Sequence, residues 1–308
     1  MPAMQISRSI TIEAPVDVVY QSILDFKEWP KWSPWLIAEP QCEVTYADDG
    51  KSYSWNGEFV GSGQMMVVDS RENESIHYDL QFLKPWKSFA KVAMLLEPVG
   101  SGTKVTWEMD SSLPFFMFFL KKMMEGFIGM DYERGLSMLK DLLETGEVPV
   151  KLEFGETEVQ PITLFGRGSE CAIKDMPRKM VADIDLIHDA ACKNEFVPKG
   201  KMYTIYHKWD VANGRVRYTT GYPVDEVPAT LPEGFVTEEI PQIKAFTSQL
   251  TGPYRHLGNA WAAGIMRSRN GAFKQSRKVH PFEVYDNDPT TVEENDLMTT
   301  VHFPIRRK

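Results

Sequence analysis

Residues 43 to 110 contain six short runs in which apolar and polar side chains alternate, separated by turn signals such as Asp-Asp-Gly and Gly-Ser-Gly. The runs lie at residues 43–46, 53–59, 63–70, 75–82, 89–98 and 103–110. Alternation with a period of two is typical of half-buried strands, and no helical segment separates the runs. The pattern predicts an antiparallel meander, in which each strand pairs with the next one along the chain.

A long apolar stripe follows the predicted meander. Between residues 113 and 144 apolar side chains recur at helical spacing, and phenylalanine and methionine are frequent among them. A helix with so broad an apolar face must pack against another element, and the meander is the available partner. The first half of the chain is therefore predicted to be an antiparallel sheet with a long helix packed on it.

Two stretches of the first half carry a resemblance to a known family. The start, SITIEAPVDVVYQSILDFKEWPKWSPW, and the end of the predicted helix, YERGLSMLKDLLE, resemble the START-like, polyketide-cyclase (SRPBCC) superfamily. The resemblance covers residues 1–148 and implies a helix-grip fold, in which a curved antiparallel sheet wraps around a long C-terminal helix. It also implies an apolar cavity between sheet and helix. Members of the superfamily bind lipids, hormones or polyketides, and a minority are enzymes.

Five side chains of the predicted helix are candidates for lining such a cavity: Phe116, Phe119, Met123, Phe127 and Met130. Methionine is flexible and polarizable, so a lining rich in methionine would fit apolar ligands of varied shape. The same stripe is also compatible with an ordinary core that encloses no ligand. No pair of an acid and a base in this half indicates catalysis.

The second half repeats one order of elements. Residues 149–167 contain glycine and proline and are predicted to connect the halves, and a second domain is predicted at residues 168–308. In that domain a strand, a short helix near residues 185–194 and two strands are predicted in succession. The same order recurs after a proline-rich loop, with the second helix starting at Gly252-Pro253-Tyr254. The repeat indicates an α+β domain formed by internal duplication, with a pocket between the copies.

Glu283 is the unusual residue of the last predicted strands. It lies between Phe282 and Val284, inside a run with the alternation of a half-buried strand. A carboxylate there either points to solvent on the polar face of the sheet or is held over a pocket as a fixed charge for a ligand. The pattern of residues leaves both alternatives open.

A second resemblance arises from three motifs of the second half. LTGPYRHLG, PFEVYDNDP and LMTTVHFPIRR resemble the GyrI-like, or effector-binding, domain of bacterial transcription activators and gyrase-inhibitor proteins. The resemblance implies that Glu283 lies at the centre of a pocket and meets cationic or polarised ligands. It also suggests Tyr285, Trp261 and Tyr254 as pocket walls, and aromatic faces would add cation–π attraction to such ligands.

Charge and composition limit the classes of partner that are expected for this chain. The net charge is −9, with 13 Lys and Arg against 22 Asp and Glu up to residue 148 and 21 against 21 after it. Neither half is basic and no helix-turn-helix head is predicted, so direct nucleic-acid binding is not expected. Three widely spaced cysteines and the lack of a membrane-spanning apolar run predict a cytoplasmic protein. The scattered histidines predict no metal site, and no cofactor is expected.

Three functions remain after these exclusions. The first is a protein that binds small apolar, amphipathic or cationic molecules and acts as a sensor, carrier or sequestering protein. The second is a hydrolase of electrophilic small molecules, in which Glu283 acts as general base and Tyr285 or Tyr206 donates to a developing anion. The third is an interaction protein that acts on another macromolecule, as gyrase inhibitors do. The sequence predicts neither the ligand nor the oligomeric state.

Overall fold

The computed structural model describes residues 3–113 and 115–306, except for the side chains of residues 115–117. The chain forms two compact units, and the boundary along the chain lies between Pro149 and Val150. Each unit combines a large antiparallel sheet with helices, so the protein is a two-domain α+β protein, as the sequence predicts. Within the described residues, no helix is both long enough and apolar enough to span a bilayer.

The first domain contains a seven-stranded antiparallel sheet. Its strands are β1 (Ala3–Ile12), β2 (Glu43–Tyr46), β3 (Ser52–Asn56), β4 (Ser62–Arg71), β5 (Ser75–Lys84), β6 (Ser88–Val99) and β7 (Gly102–Ser112). The strand order is β1-β7-β6-β5-β4-β3-β2, so β2 to β7 form the predicted meander and β1 closes it beside β7. The six alternating runs thus correspond to six consecutive strands.

Three helices accompany this sheet: α1 (Val16–Leu24), the short α2 (Trp29–Trp32) and the long α3 (Lys121–Thr145). A 3-10 helix at Phe115–Leu120 leads into α3. α3 packs on β1 and β7 and ends at Gly146, whose positive φ of 87° is the left-handed conformation that commonly terminates helices. The apolar stripe of the sequence is therefore a helix that packs on the sheet, as predicted.

Aromatic rings fill much of the core of the first domain. The indole of Trp107 on β7 stacks on the ring of Tyr132 on α3, with ring centroids 4.0 Å apart. Trp29 and Trp32 pack edge-on against Trp107, and all four side chains are at most 2% exposed. Pro30 lies in the first turn of α2 and Pro34 follows its C-terminal end, so the helix is one turn long and the closely spaced indoles reach the same core.

The second domain contains an eight-stranded antiparallel sheet. Its strands are β8 (Lys151–Val159), β9 (Ile162–Ala172), β10 (Tyr203–Asp210), β11 (Arg215–Pro223), β12 (Phe235–Ile240), β13 (Ile243–Thr251), β14 (Phe282–Tyr285) and β15 (Met298–Pro304). The order across the sheet is β12-β9-β11-β10-β14-β15-β13-β8. Its two central strands, β10 and β14, are separated in sequence by more than 70 residues, yet they are neighbours.

Two helices belong to this sheet, α4 (Met176–Cys192) after β9 and α5 (Leu257–Arg269) after β13. Each is followed by two strands, so strand, helix, strand, strand occurs twice in the chain. α4 packs on β9 and β11, and α5 packs on β13 and β15. Contact between α5 and β15 is close, because a Cβ atom at Gly264 would lie 2.1 Å from the Phe303 ring.

Two sequence expectations differ from the structure here. α4 begins at Met176, about nine residues before the predicted helix, because Pro177 occupies the first helical turn, where its missing N–H costs nothing. The predicted connector at residues 149–167 contains β8 and the start of β9. β8 is an edge strand that pairs with β13 on one side, so it needs little apolar content and its alternation is weak.

A buried carboxylate fixes α4 to the sheet. Asp183 is 0% exposed, and it accepts hydrogen bonds from Ser169 on β9 (2.7 Å), Tyr218 on β11 (2.9 Å) and the ammonium group of Lys179. Burial by itself raises the pKa of an acid, but the three donors outweigh this effect and lower the pKa of Asp183 below 3.8. The ionised Asp183 side chain therefore helps to orient α4 on the sheet, together with the apolar packing of Ile187 and Ala190.

Candidate functional site

Glu283 lies at the centre of the second sheet. β14 runs between β10 and β15, and Glu283 is paired with Thr204 on one side and with Val301 on the other. Its side chain is 2% exposed. Strand alternation sends Phe282 and Val284 to the opposite face of the sheet. Of the two alternatives that the sequence left open, the solvent-facing carboxylate is excluded by this burial.

Three neutral donors bind the Glu283 carboxylate. The indole N–H of Trp261 on α5 donates to Oε1, and the hydroxyl groups of Tyr206 on β10 and Tyr285 on β14 donate to Oε2 at 3.0 and 2.9 Å. The donors come from two strands and a helix, so the fold of the whole domain defines the site. Buried polar groups need such partners, because an unsatisfied one costs the free energy of its desolvation.

No cationic side chain among the described residues contacts this carboxylate, and its hydrogen bonds are those to the indole and the two phenols. Burial raises the pKa of Glu283 above its ordinary value of 4.5, and the three hydrogen bonds offset only part of that effect. When ionised, Glu283 is thus a desolvated negative charge without a counter-ion. This is the electrostatic environment that attracts a cation.

The tyrosine hydroxyl groups remain protonated donors over the whole physiological range. Burial, together with the nearby charge of Glu283, raises the pKa values of Tyr206 and Tyr285 well above 10. The Tyr285 hydroxyl also lies 3.3 Å from the hydroxyl of Thr204 and 3.5 Å from the sulfur of Met180 on α4. α4 therefore reaches the same site as α5.

Aromatic rings connect the carboxylate to the protein surface. Tyr254 packs edge-on against Tyr285, with ring centroids 5.7 Å apart, and is 37% exposed. The indole of Trp261 packs edge-on against Tyr206 at 5.1 Å and against Phe303 at 5.4 Å. Glu283 itself is 2% exposed, and Tyr254 is the partly exposed end of this group of rings.

The two halves of the chain match two different protein families. Residues 3–144 match the family described as polyketide cyclase / dehydrase and lipid transport. Residues 157–301 match the family described as integron-associated effector binding protein. The chain joins a START-like domain to a GyrI-like effector-binding domain. Both resemblances that the sequence motifs predicted are thereby confirmed.

Solved structures similar to parts of the chain are known, whereas no curated protein matches the chain in sequence. The C-terminal domain of EcmrR covers 51% of this chain and 99% of its own, at 18% identity and a TM-score of 0.43. CV1439 from Chromobacterium violaceum covers 46% of this chain and 98% of its own, at 19% identity and a TM-score of 0.36. SAV2435 bound to tetraphenylphosphonium covers 50% of this chain and 94% of its own, at 12% identity and a TM-score of 0.39.

The GyrI-like domain brings together all four residues that the sequence singled out. Trp261 and Tyr285 bind Glu283 directly, and Tyr254 contacts Tyr285. Sequence reasoning considered Tyr206 only as a donor in a hydrolase, and it missed Met180 and Thr204. The sequence does contain a signal for Tyr206, because a phenol in a buried strand needs a hydrogen-bond partner. Nothing in the sequence marked Met180, since its segment was interpreted as a strand.

A groove of about 540 Å³ lies on the other face of the same sheet. Val284, Asp286 and His302 line it, and Val284 on β14 and His302 on β15 alternate with the residues that face α5. Lys201 forms an ion pair with Asp286 at a distance of 2.8 Å. Burial lowers the pKa of His302 to about 4, so this histidine is neutral at pH 7. The groove and the Glu283 carboxylate are therefore separate features.

In the START-like domain, the candidate cavity residues occupy varied positions on α3 and before it. Phe127 and Met130 are half-buried, whereas Phe119 is 69% and Met123 37% exposed. The side chain of Phe116 lies outside the described residues. An apolar ligand between this sheet and α3 remains a prediction of the resemblance.

Replacing Glu283 by glutamine is expected to stabilise the ligand-free GyrI-like domain at neutral pH. The pKa of Glu283 is raised in the folded state, so its contribution to stability is fully present below the unfolded value near 4.5 and is lost as the pH rises through the folded pKa. Glutamine avoids that loss while it keeps an acceptor for Trp261. Urea unfolding of both proteins from pH 4 to pH 8 tests this prediction. A difference in free energy of unfolding between the variant and the wild type that did not increase with pH would contradict it.

Proposed function

We propose that the GyrI-like domain binds a lipophilic aromatic cation, and that the protein acts as a sensor, carrier or sequestering protein for such molecules. The observation that carries the proposal is the buried Glu283 carboxylate, held by three neutral donors and contacted by no cationic side chain among the described residues. A cation that reached it would supply the missing counter-charge in a site of low dielectric, where attraction is strong.

The neighbours of Glu283 favour a flat, delocalised cation over a small hydrated one. Tyr206, Tyr285 and Trp261 surround the carboxylate with aromatic rings, whose faces attract cations by about 0.5–2 kcal/mol. A hydrated inorganic ion would instead require several oxygen ligands. A delocalised organic cation sheds its water at lower cost, so it suits an apolar site with a single carboxylate.

Entry of such a ligand requires side chains to move, and the site contains the residue types that do so readily. Met180 is half-buried on α4, with its sulfur against the Tyr285 hydroxyl. Methionine has three rotatable bonds and adapts to irregular shapes. Tyr254 is partly exposed at the edge of the site. Rotation of these two side chains would open a path to Glu283 without a change in the sheet.

The deciding experiment is calorimetric titration with tetraphenylphosphonium and, as a neutral compound of similar shape, triphenylphosphine oxide. We expect the cation to bind the wild-type protein and to lose at least tenfold in affinity, about 1.4 kcal/mol, in Glu283→Gln. Glu158→Gln removes an exposed carboxylate from β8 and is the control for net charge. Binding should also weaken as the pH falls through the raised pKa of Glu283, since protonation removes the charge. Equal affinity in Glu283→Gln and wild type would refute the proposal.

A hydrolase is the second candidate, because a carboxylate of raised pKa beside two phenol donors is the environment of many general bases. Glu283 accepts three hydrogen bonds, and a carboxylate has about four lone-pair sites, so one site remains to accept a proton from water. Cation binding is the better supported function, because it requires no change in the three hydrogen bonds that Glu283 accepts. Turnover of an epoxide that disappears in Glu283→Gln would establish the hydrolase instead.

A further inference from the structure

The exposed aromatic side chains of the START-like domain are concentrated in two segments. Trp86 (56% exposed) and Phe89 (68%) belong to the hairpin that joins β5 to β6, and Phe118 (58%) and Phe119 (69%) belong to the 3-10 helix before α3. Among the side chains of this domain that the structure describes, the other strongly exposed apolar ones are aliphatic: Val18, Met66, Val68, Leu83, Val99 and Met123. Soluble proteins rarely expose several large aromatic rings close together unless the rings contact a partner.

Both segments leave the same end of the sheet. The hairpin begins where β5 ends at Lys84, and the 3-10 helix follows the end of β7 at Ser112. β6 and β7 are neighbours, with Ala90 paired to Ser111, and the hydroxyl of Ser111 donates a hydrogen bond to the carbonyl of Phe89 at 2.9 Å. The strand ends from which the two segments leave are thus neighbours in the sheet.

The charge of these segments is opposite to that of the domain. Residues 80–90 and 111–124 contain four lysines, Lys84, Lys87, Lys121 and Lys122, and no aspartate or glutamate. The first half of the chain as a whole has 13 basic and 22 acidic residues. Lys121 lies 3.6 Å from Glu125, whereas the other three lysines form no ion pair with any described residue. Cations that stay unpaired in an acidic domain suggest a negatively charged partner.

We propose that this end of the START-like domain, the basic aromatic tip, docks on the surface of a bilayer that contains anionic phospholipids. The tip is defined as Leu83, Lys84, Trp86, Lys87, Phe89, Phe118, Phe119, Lys121, Lys122 and Met123. Aromatic rings enter the boundary between headgroups and acyl chains, while lysine stems lie along the apolar zone and leave their ammonium groups among the phosphates. Anionic leaflets attract such lysines within about a Debye length, 10 Å at 0.1 M salt.

A membrane suits these residues better than another macromolecule does. Nucleic acid would require a broad basic surface, and here the basic residues are confined to one end of an acidic domain. A protein interface of ordinary affinity tends to exclude lysine and to centre on a few buried aromatic anchors. Bulky rings at the edge of the domain with lysines directly beside them match the interfacial pattern of a peripheral membrane protein.

The test is co-sedimentation of the full chain with vesicles of phosphatidylcholine, with or without about 30% phosphatidylglycerol, whose anionic headgroups attract basic residues. We expect binding to the anionic vesicles that is at least fivefold stronger than to the neutral ones and that weakens between about 0.1 and 0.5 M salt. The double variants Trp86→Ala/Phe89→Ala and Lys84→Glu/Lys87→Glu should each lose at least tenfold in binding.

Matched controls separate docking from folding and from ligand binding. Lys208→Glu/Trp209→Ala alters an exposed lysine–tryptophan pair of the second domain and should bind vesicles like wild type. The tip variants should keep the melting temperature of the wild type and its affinity for tetraphenylphosphonium. A negative result for membrane docking is therefore distinguishable from a negative result for cation binding at Glu283. Wild-type binding by both tip variants, equal binding to neutral vesicles, or capture of a protein partner without vesicle binding would overturn the proposal.

Discussion

Replacing Asp183 by alanine is expected to lower the free energy of unfolding of the second domain by about 2–4 kcal/mol, since it leaves the buried hydroxyl of Tyr218 without an acceptor and removes the bonds from Ser169 and the partly exposed Lys179. Asp183 is completely buried, and its two oxygens accept hydrogen bonds from Lys179, Ser169 and Tyr218. Alanine leaves the hydroxyl of Tyr218 buried without an acceptor, and it leaves the lysine without its counter-ion. The decrease in the free energy of unfolding is therefore larger than that caused by removing one ordinary hydrogen bond.

Hydrogen exchange followed by mass spectrometry is the suitable measurement, because two domains do not unfold in one step. Amides of β9, α4 and β11 should exchange faster in Asp183→Ala, while amides of the first domain provide an internal reference. Asp183→Asn keeps one acceptor and should lose less. Because the pKa of Asp183 is lowered, its stabilisation is present above about pH 3.8 and is lost as the pH falls through the folded pKa. Unchanged exchange in α4 at neutral pH would contradict the prediction.

Asp183 also matters for the ligand site, through the helix that it holds. Met180 lies one turn before it on α4, with its sulfur 3.5 Å from the hydroxyl of Tyr285, which binds Glu283. Loosening α4 would displace Met180 before it disturbed β14, which lies at the centre of the sheet. Weakened cation binding in Asp183→Asn, with Glu283 intact, would identify α4 as the movable wall of the site.

The sequence predicted those features of the second domain that depend on local pattern. Glu283 stood out because a charged residue interrupts an otherwise apolar strand, whereas its place in a pocket, with Trp261 as a wall, was implied by the resemblance to the GyrI-like family. The contacts of Tyr206 depend on β10 and β14 being neighbours, and strand order is not a local property. The start of α4 was missed because Met176 to Ala182 alternate weakly, and tertiary packing decides such cases.

In the first domain the sequence predicted the order of the strands but not the content of the core. The meander follows from turn signals at regular spacing, and consecutive strands then pair with one another. Trp29, Trp32 and Trp35 lie three residues apart with prolines between them, a spacing that predicts no contact with a distant strand. In the structure two of them, Trp29 and Trp32, pack with Trp107, which lies some 75 residues later in the chain. Contacts over such a separation leave no periodic signal.

Replacing Trp107 by alanine is expected to lower the stability of the first domain by about 3–5 kcal/mol, the usual cost of removing a large buried aromatic ring. Its indole stacks on Tyr132 and contacts three further tryptophans. The surrounding rings therefore cannot all move into the cavity that the alanine substitution would leave. A Cβ atom at Gly135 of α3 would lie 2.8 Å from this indole, which shows how closely the helix approaches it. Exchange of amides in β7 and α3 measures the loss.

Indole is the informative ligand for this variant, because an apolar cavity in a rigid core binds a molecule of the missing shape. Added indole should restore part of the lost protection by mass action, about 2.7 kcal/mol at a hundredfold excess over its dissociation constant. Trp107→Phe should lose less than alanine, since it keeps a ring and removes an indole N–H that has no partner among the described residues. If indole protects the alanine variant and leaves the wild type unchanged, aromatic side chains occupy the volume that a ligand would need in this domain. If indole also protects the wild type, that volume is already open, and the first domain takes an apolar ligand between its sheet and α3.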